Sequence, residues 1–264
     1  MIDVLKASIF ILLVIYSSIG FWLLSVECIS KIALRHRTVE TVYRVISLVG
    51  VPVHELSHAI VALVFNHRVT KVSLVSFDSR SASLGSVNHQ RDRLSMYQNF
   101  GMFFIGFAPI VGSAISVYML AYLISDNAKS LIEIILFNSN ASPLYERLDV
   151  LIAWVSSVRL DCYFCLWFFV SMQICYFGVP SRADFKNSLI GVPYLLAAIA
   201  IVVLALYTIG IDATVVVWTS AISILKIIFV VSSFSFVNVA FLLCIAAICI
   251  LIDVVKRNLT NTWD

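Results

Sequence analysis

His54, Glu55 and His58 stand in the stretch VPVHELSHAI, residues 51–60, and form the pattern H-E-x-x-H. On a helix, residues four apart share a face, so the two imidazoles can offer nitrogens to one zinc ion. Glu55, one position on, lies near the metal at an angle suited to holding a water. A zinc ion with three protein ligands keeps a position open for that water and acidifies it, and a neighbouring carboxylate can act as the base. The chain holds five His and five Glu, so chance would place this pattern in such a composition only about 0.002 times. The competing reading is a polar cluster that bonds neighbouring helices. Ionisable groups inside an apolar span are costly and by default functional.

Two histidines need a third protein ligand. Asp184, in FGVPSRADFKNS, is the leading candidate: Pro180 would end or bend the preceding helix and could swing Asp184 toward the metal. Its other reading is the N-cap of a helix beginning at 185. Glu146 in LYERLD could be a downstream glutamate ligand, His89 in SVNHQ could ligate or touch substrate, and Asp149 and Asp161 follow. The CxxC of Cys162 and Cys165 has no second pair and lies in DCYFCLWFFV, where cysteine packs as a small hydrophobe.

These residues must be positioned by membrane helices. The 264 residues are 61% hydrophobic and 12% charged, with mean hydropathy +1.00, which predicts an all-α polytopic membrane protein in one domain, 1–264. Apolar runs at 8–26, 43–66, 101–124, 162–179, 190–210, 214–232 and 235–254 give six or seven transmembrane helices, with SSFSF at 232–236 as a turn or interruption. The first run reads as a retained anchor: no small-x-small cleavage pattern follows, and Glu27 precedes Cys28 where a lipoprotein signal has a small residue. Residues 27–42 read as a basic amphipathic connector. Residues 67–99, with β-branched alternation around DSRSAS, predict a β-hairpin at the membrane edge. Residues 142–161 predict an amphipathic helix on the membrane or docked to the bundle. Lys and Arg divide almost evenly between the two sides, so they do not set the orientation. A net charge of +3 without a basic patch gives no nucleic-acid partner.

The stretch GVPVHELSHAIVALVFNHRVTKVSL (50–74), with LGSVNHQRD (84–92), FFIGFAPIVGSA (103–114) and VPSRADFKNSL (179–189), resembles the site-2 protease-like intramembrane zinc metallopeptidases, in particular a bacterial branch. The resemblance covers residues 43–191, a metalloprotease core, and leaves the helices of 192–254 without a role. It implies His54, His58 and Asp184 as zinc ligands, Glu55 as general base and a bacterial inner (cytoplasmic) membrane location. The chain departs from the better-known members in having Pro180 before Asp184 but no Leu-Asp-Gly.

In such proteases the strand after the motif helix pairs with an unwound substrate. An edge at 69–77, with Val72 and Leu74, could capture an extended segment by strand addition, and His89 or Asn88 are candidates for contact with the reacting carbonyl. Pro52, Pro109, Gly101, Gly106 and Gly112 would relax helix geometry and admit water. The expected function is hydrolysis of peptide bonds in or near membrane-spanning segments, with a membrane protein as substrate, the lipid bilayer as surroundings and a regulatory membrane partner left open. The alternative is an inactive relative that binds membrane helices as a chaperone or regulator, although an intact HExxH argues against it. A metal carrier would call for repeated halves, histidine-box oxygenases need more than five His, and a prenyl-protein-type zinc protease would need Glu146 as ligand.

Overall fold

The computed structural model describes residues 2–76, 84–137, 144–158 and 161–260. Its elements are α1 (Ile2–Ala33), α2 (Arg37–Val64), β1 (Arg68–Ser73), β2 (Ser86–Gln90), α3 (Met96–Ile124), α4 (Asp126–Phe137), α5 (Leu144–Ser157), α6 (Cys162–Phe177), α7 (Arg182–Thr208) and α8 (Ala213–Thr260). Five of these helices, α1, α2, α3, α7 and α8, are long and apolar enough to cross a membrane. The chain is membrane-integral and predominantly helical.

Among the described residues five helices meet that length, against six or seven expected runs, and two features account for the difference. With 16 residues, α6 reaches only about 24 Å, short of a hydrocarbon core of about 30 Å. The runs 214–232 and 235–254 are one continuous helix, α8, of 48 residues. The serines that suggested a turn are absorbed by it: Ser232 and Ser233 donate their hydroxyls back to the Phe229 carbonyl at 3.0 and 2.7 Å, a bond that lets a serine sit inside a helix. The connector at 27–42 is likewise mostly helical. Only residues 34–36 separate α1 from α2, and His36 closes the gap by accepting the Thr38 N–H on Nδ1 at 3.3 Å.

The expected hairpin is present. β1 and β2 pair antiparallel, Val69 opposite His89 and Val72 opposite Val87, with a bulge between Val69 and Lys71. Its middle, DSRSAS, lies outside the described residues. The long excursion before α6 contains two helices, α4 and α5, the second matching the predicted amphipathic segment.

Two close helix crossings set up the site. A β-carbon at Gly50 would lie 2.5 Å from the Phe177 ring and 2.7 Å from the Gln173 carbonyl, so α2 meets α6 backbone to backbone. At Gly106 a β-carbon would lie 2.5 Å from Ser188 Cβ and 2.6 Å from the Asp184 carbonyl, which brings α3 against the first turns of α7. Small residues at such crossings are what van der Waals packing in a bilayer uses in place of a hydrophobic drive. Away from the site, the largest fully buried side chains include Trp22, Trp167, Val117 and Leu242, and also the polar Gln173 and Asn238, with Trp167 Nε1 donating to the Val117 carbonyl at 3.1 Å.

Candidate metal centre

On α2, His54 and His58 share a face as their spacing requires, and their Nε2 atoms lie 3.1 Å apart. Each ring is oriented by a backbone carbonyl that has lost its own helical donor. His58 Nδ1 lies 2.8 Å from the Ile105 carbonyl. Four residues on, position 109 of α3 is a proline, which has no N–H to give that oxygen. His54 Nδ1 lies 2.6 Å from the carbonyl of Phe177, the last residue of α6, where helical carbonyls go unpaired. A carbonyl oxygen can only accept, so both rings carry their proton on Nδ1. That leaves both Nε2 lone pairs facing one point.

Asp184 completes the group. Its Oδ2 is 3.6 Å from His54 Nε2 and 3.4 Å from His58 Nε2. It stands at the third position of α7, in a capping box with Ser181: the Ser181 N–H and hydroxyl donate to Asp184 Oδ2 at 2.9 and 2.6 Å, and the Asp184 N–H returns to Ser181 Oγ at 3.1 Å. The N-cap is therefore Ser181, which corrects the alternative that made Asp184 the cap. One aspartate both closes the helix start and faces the histidines.

Three acceptors converging without a donor between them repel. A proton on one imidazole relieves one pair; a metal ion satisfies all three. His54, His58 and Asp184 form a group that could hold a metal ion. Two imidazoles in the set favour a transition metal over magnesium or calcium, which take oxygen ligands.

Glu55 is buried, 8% exposed, and lines with His54 a cavity of about 510 Å³. Tyr43, Tyr176 and Phe177 also line this cavity, as do Glu27, Lys31 and Arg182. Glu27 takes Lys31 Nζ and Arg182 Nε at 2.7 Å each, tying α1 to the turn that carries Asp184. Gly85, just before β2, closes over the carboxylate. A β-carbon there would be 2.8 Å from Glu55 Cγ and 3.0 Å from its Oε1.

Comparison with protein-family models, with curated proteins and with solved structures gives no match. The site therefore rests on its own chemistry.

Among the described residues, none of the other sequence candidates joins the metal-facing group. Val72 and Leu74 are exposed on and after β1 and lie outside the wall of the Glu55 cavity. Asp161 caps α6, accepting the Phe164 N–H at 2.7 Å, and Asp149 is exposed on α5. Glu146 belongs to α5, its side chain outside the described residues. Asn88 is exposed, and its carbonyl takes the Thr70 hydroxyl at 3.1 Å. His89 pairs with a residue that sequence reasoning passed over, His67, at 2.9 Å between Nδ1 atoms. The missed signals were a proline four residues after a carbonyl, a serine three before the aspartate, and a histidine directly after the motif helix.

Proposed function

We propose that this chain is an intramembrane zinc metalloendopeptidase, cutting peptide bonds in or near membrane-spanning segments of other proteins. The observation that carries the reading is the convergence of His54 Nε2, His58 Nε2 and Asp184 Oδ2, separated by 3.1, 3.6 and 3.4 Å, beside the buried carboxylate of Glu55. Ligands about 2.0–2.1 Å from a tetrahedral zinc ion lie about 3.3–3.4 Å from one another, so the donor set fits. When bound, zinc polarises the scissile carbonyl and acidifies a water.

The chain's own residues do the rest. Glu55, held in a cavity lined largely by apolar and aromatic side chains, accepts a proton from the attacking water and returns it to the departing amine. The carbonyls of Ile105 and Phe177 keep both imidazoles presenting Nε2, as ligand-orienting partners do. The hairpin beside the motif helix offers an extended peptide a strand to pair with. The likeness to site-2 proteases supports the same reading, through HELSH followed at once by a strand and through the later aspartate.

The test is hydrolysis of β-casein by the detergent-purified, zinc-loaded chain, with products read by mass spectrometry. The parent is expected to cleave, and Glu55→Gln to keep its zinc and lose cleavage by at least about 100-fold. Equal cleavage by both, or none by a zinc-loaded parent, would remove the reading.

A further inference from the structure

His67 and His89 form a second imidazole pair with one self-consistent neutral arrangement. His67 Nε2 faces the Gln98 carbonyl at 2.9 Å and so carries a proton. His67 Nδ1 is then a lone pair, and His89 Nδ1, 2.9 Å away, must be the donor to it. The reverse arrangement would set the His67 Nε2 lone pair against the Gln98 oxygen. His89 is thereby left with a bare Nε2, and among the described residues no hydrogen bond is recorded to that atom.

The placement of that nitrogen follows from the hairpin. Gly85, which packs on Glu55, directly precedes β2, and because side chains alternate along a strand Val87 and His89 share one face of it. Val87 and His89 are half-buried, whereas Asn88 and Gln90 are exposed. β2 leaves Glu55 and runs toward the end of α2, where the His67 N–H is held by the Ala62 carbonyl at 2.8 Å. Ala62 stands four residues after His58 on α2, one helical turn along the same face.

We propose that His89 is a substrate-positioning residue of this site, its Nε2 accepting a hydrogen bond from a backbone N–H of the bound peptide, and that His67 holds it in that tautomer. This rests on the protease reading and deepens it. An extended peptide presents such N–H groups, and a bare nitrogen fixed on a strand can hold one without competing for the three metal-facing acceptors.

The test is ¹⁵N NMR of the imidazoles in the zinc-loaded, detergent-solubilised chain, tractable because there are only five His. A peptidyl hydroxamate serves as the site ligand. His89 is expected to carry its proton on Nδ1 in the parent, and its Nε2 resonance to move with those of His54 and His58 when the hydroxamate binds. His67→Ala is expected to let the His89 proton redistribute. His67→Gln, which can donate to Gln98 and accept from His89, is expected to preserve the tautomer.

His89→Ala is expected to weaken the hydroxamate about tenfold with zinc content unchanged. A proton on His89 Nε2 in the parent overturns the proposal, and so does a hydroxamate that moves His54 and His58 but not His89. A hydroxamate that moves none of the three overturns the protease reading and the proposal with it.

Discussion

The Ile105 carbonyl lies 2.8 Å from His58 Nδ1, and it is free to accept because position 109 of the same helix is proline. A residue whose side chain has no metal-ligating atom thus determines which nitrogen His58 presents. Pro109→Ala restores an N–H that competes for the Ile105 oxygen. The expected result is a more regular α3, unchanged or higher thermal stability, and metal affinity lower by about 10-fold or more, the usual scale for a lost orienting partner. Competition with a chelator measures it; unchanged affinity would show that the carbonyl does not orient the ring.

Ser181→Ala removes the hydroxyl of the capping box and leaves Asp184 held by one backbone donor. The cost to the start of α7 is about 1 kcal/mol. Asp184 gains freedom to turn from the histidines, so metal affinity is expected to fall about tenfold with the site intact. Ser181→Thr, which keeps the hydroxyl, is expected to restore most of the affinity in the same chelator titration.

Gly85→Ala places a methyl group where Glu55 now sits, 2.8 Å from Cγ. Val51, whose Cγ1 would lie 2.7 Å away, and the Glu55 side chain both have to shift, and none of the three nearest atoms is a metal-facing one. Zinc content is expected to hold while casein cleavage falls by about tenfold or more. Equal loss of zinc and cleavage would mean that the glycine supports the whole site and not Glu55 alone.

Burial lowers the His67 pKa from its ordinary value of 6.5, with Arg91 adding to the shift and the Gln98 carbonyl opposing it. Burial lowers His89 as well, reinforced by His67, His58 and Arg91 and opposed by Asp184. As pH falls the unfolded chain takes up these protons first. The pair's contribution to stability is therefore full above the ordinary histidine value and is lost as pH drops through the lowered folded values. Unfolding followed from about pH 7.5 to about pH 5 is expected to show a steeper loss for the parent than for the His67→Gln, His89→Gln double variant. Parallel losses would contradict it.

What the sequence carried of this fold was what periodicity and local chemistry determine. HELSH had to share a helix face, β-branched alternation had to make the hairpin, and Pro180 had to end α6 before Asp184. What it did not carry depends on tertiary packing. Nothing local says that Ser232 and Ser233 will bond back to Phe229 and let α8 run through, or that the polar stretch after Glu27 will continue α1. The identity of the ring-orienting carbonyls depends on how α3 and α6 cross α2, as Gly50 and Gly106 permit. Asp184 was separable from Glu146 and His89 only by such crossings, because an acidic residue's reach is not written in its neighbours.

The central claim is one metal ion held by His54, His58 and Asp184. Zinc per chain, measured on detergent-purified and folded parent, His58→Ala, Asp184→Ala and Glu55→Gln proteins, tests it most directly. The account expects close to one zinc in the parent and in Glu55→Gln, and little in the other two. A folded parent that takes up no zinc when it is resupplied, or an Asp184→Ala protein that holds zinc as tightly as the parent, would contradict it.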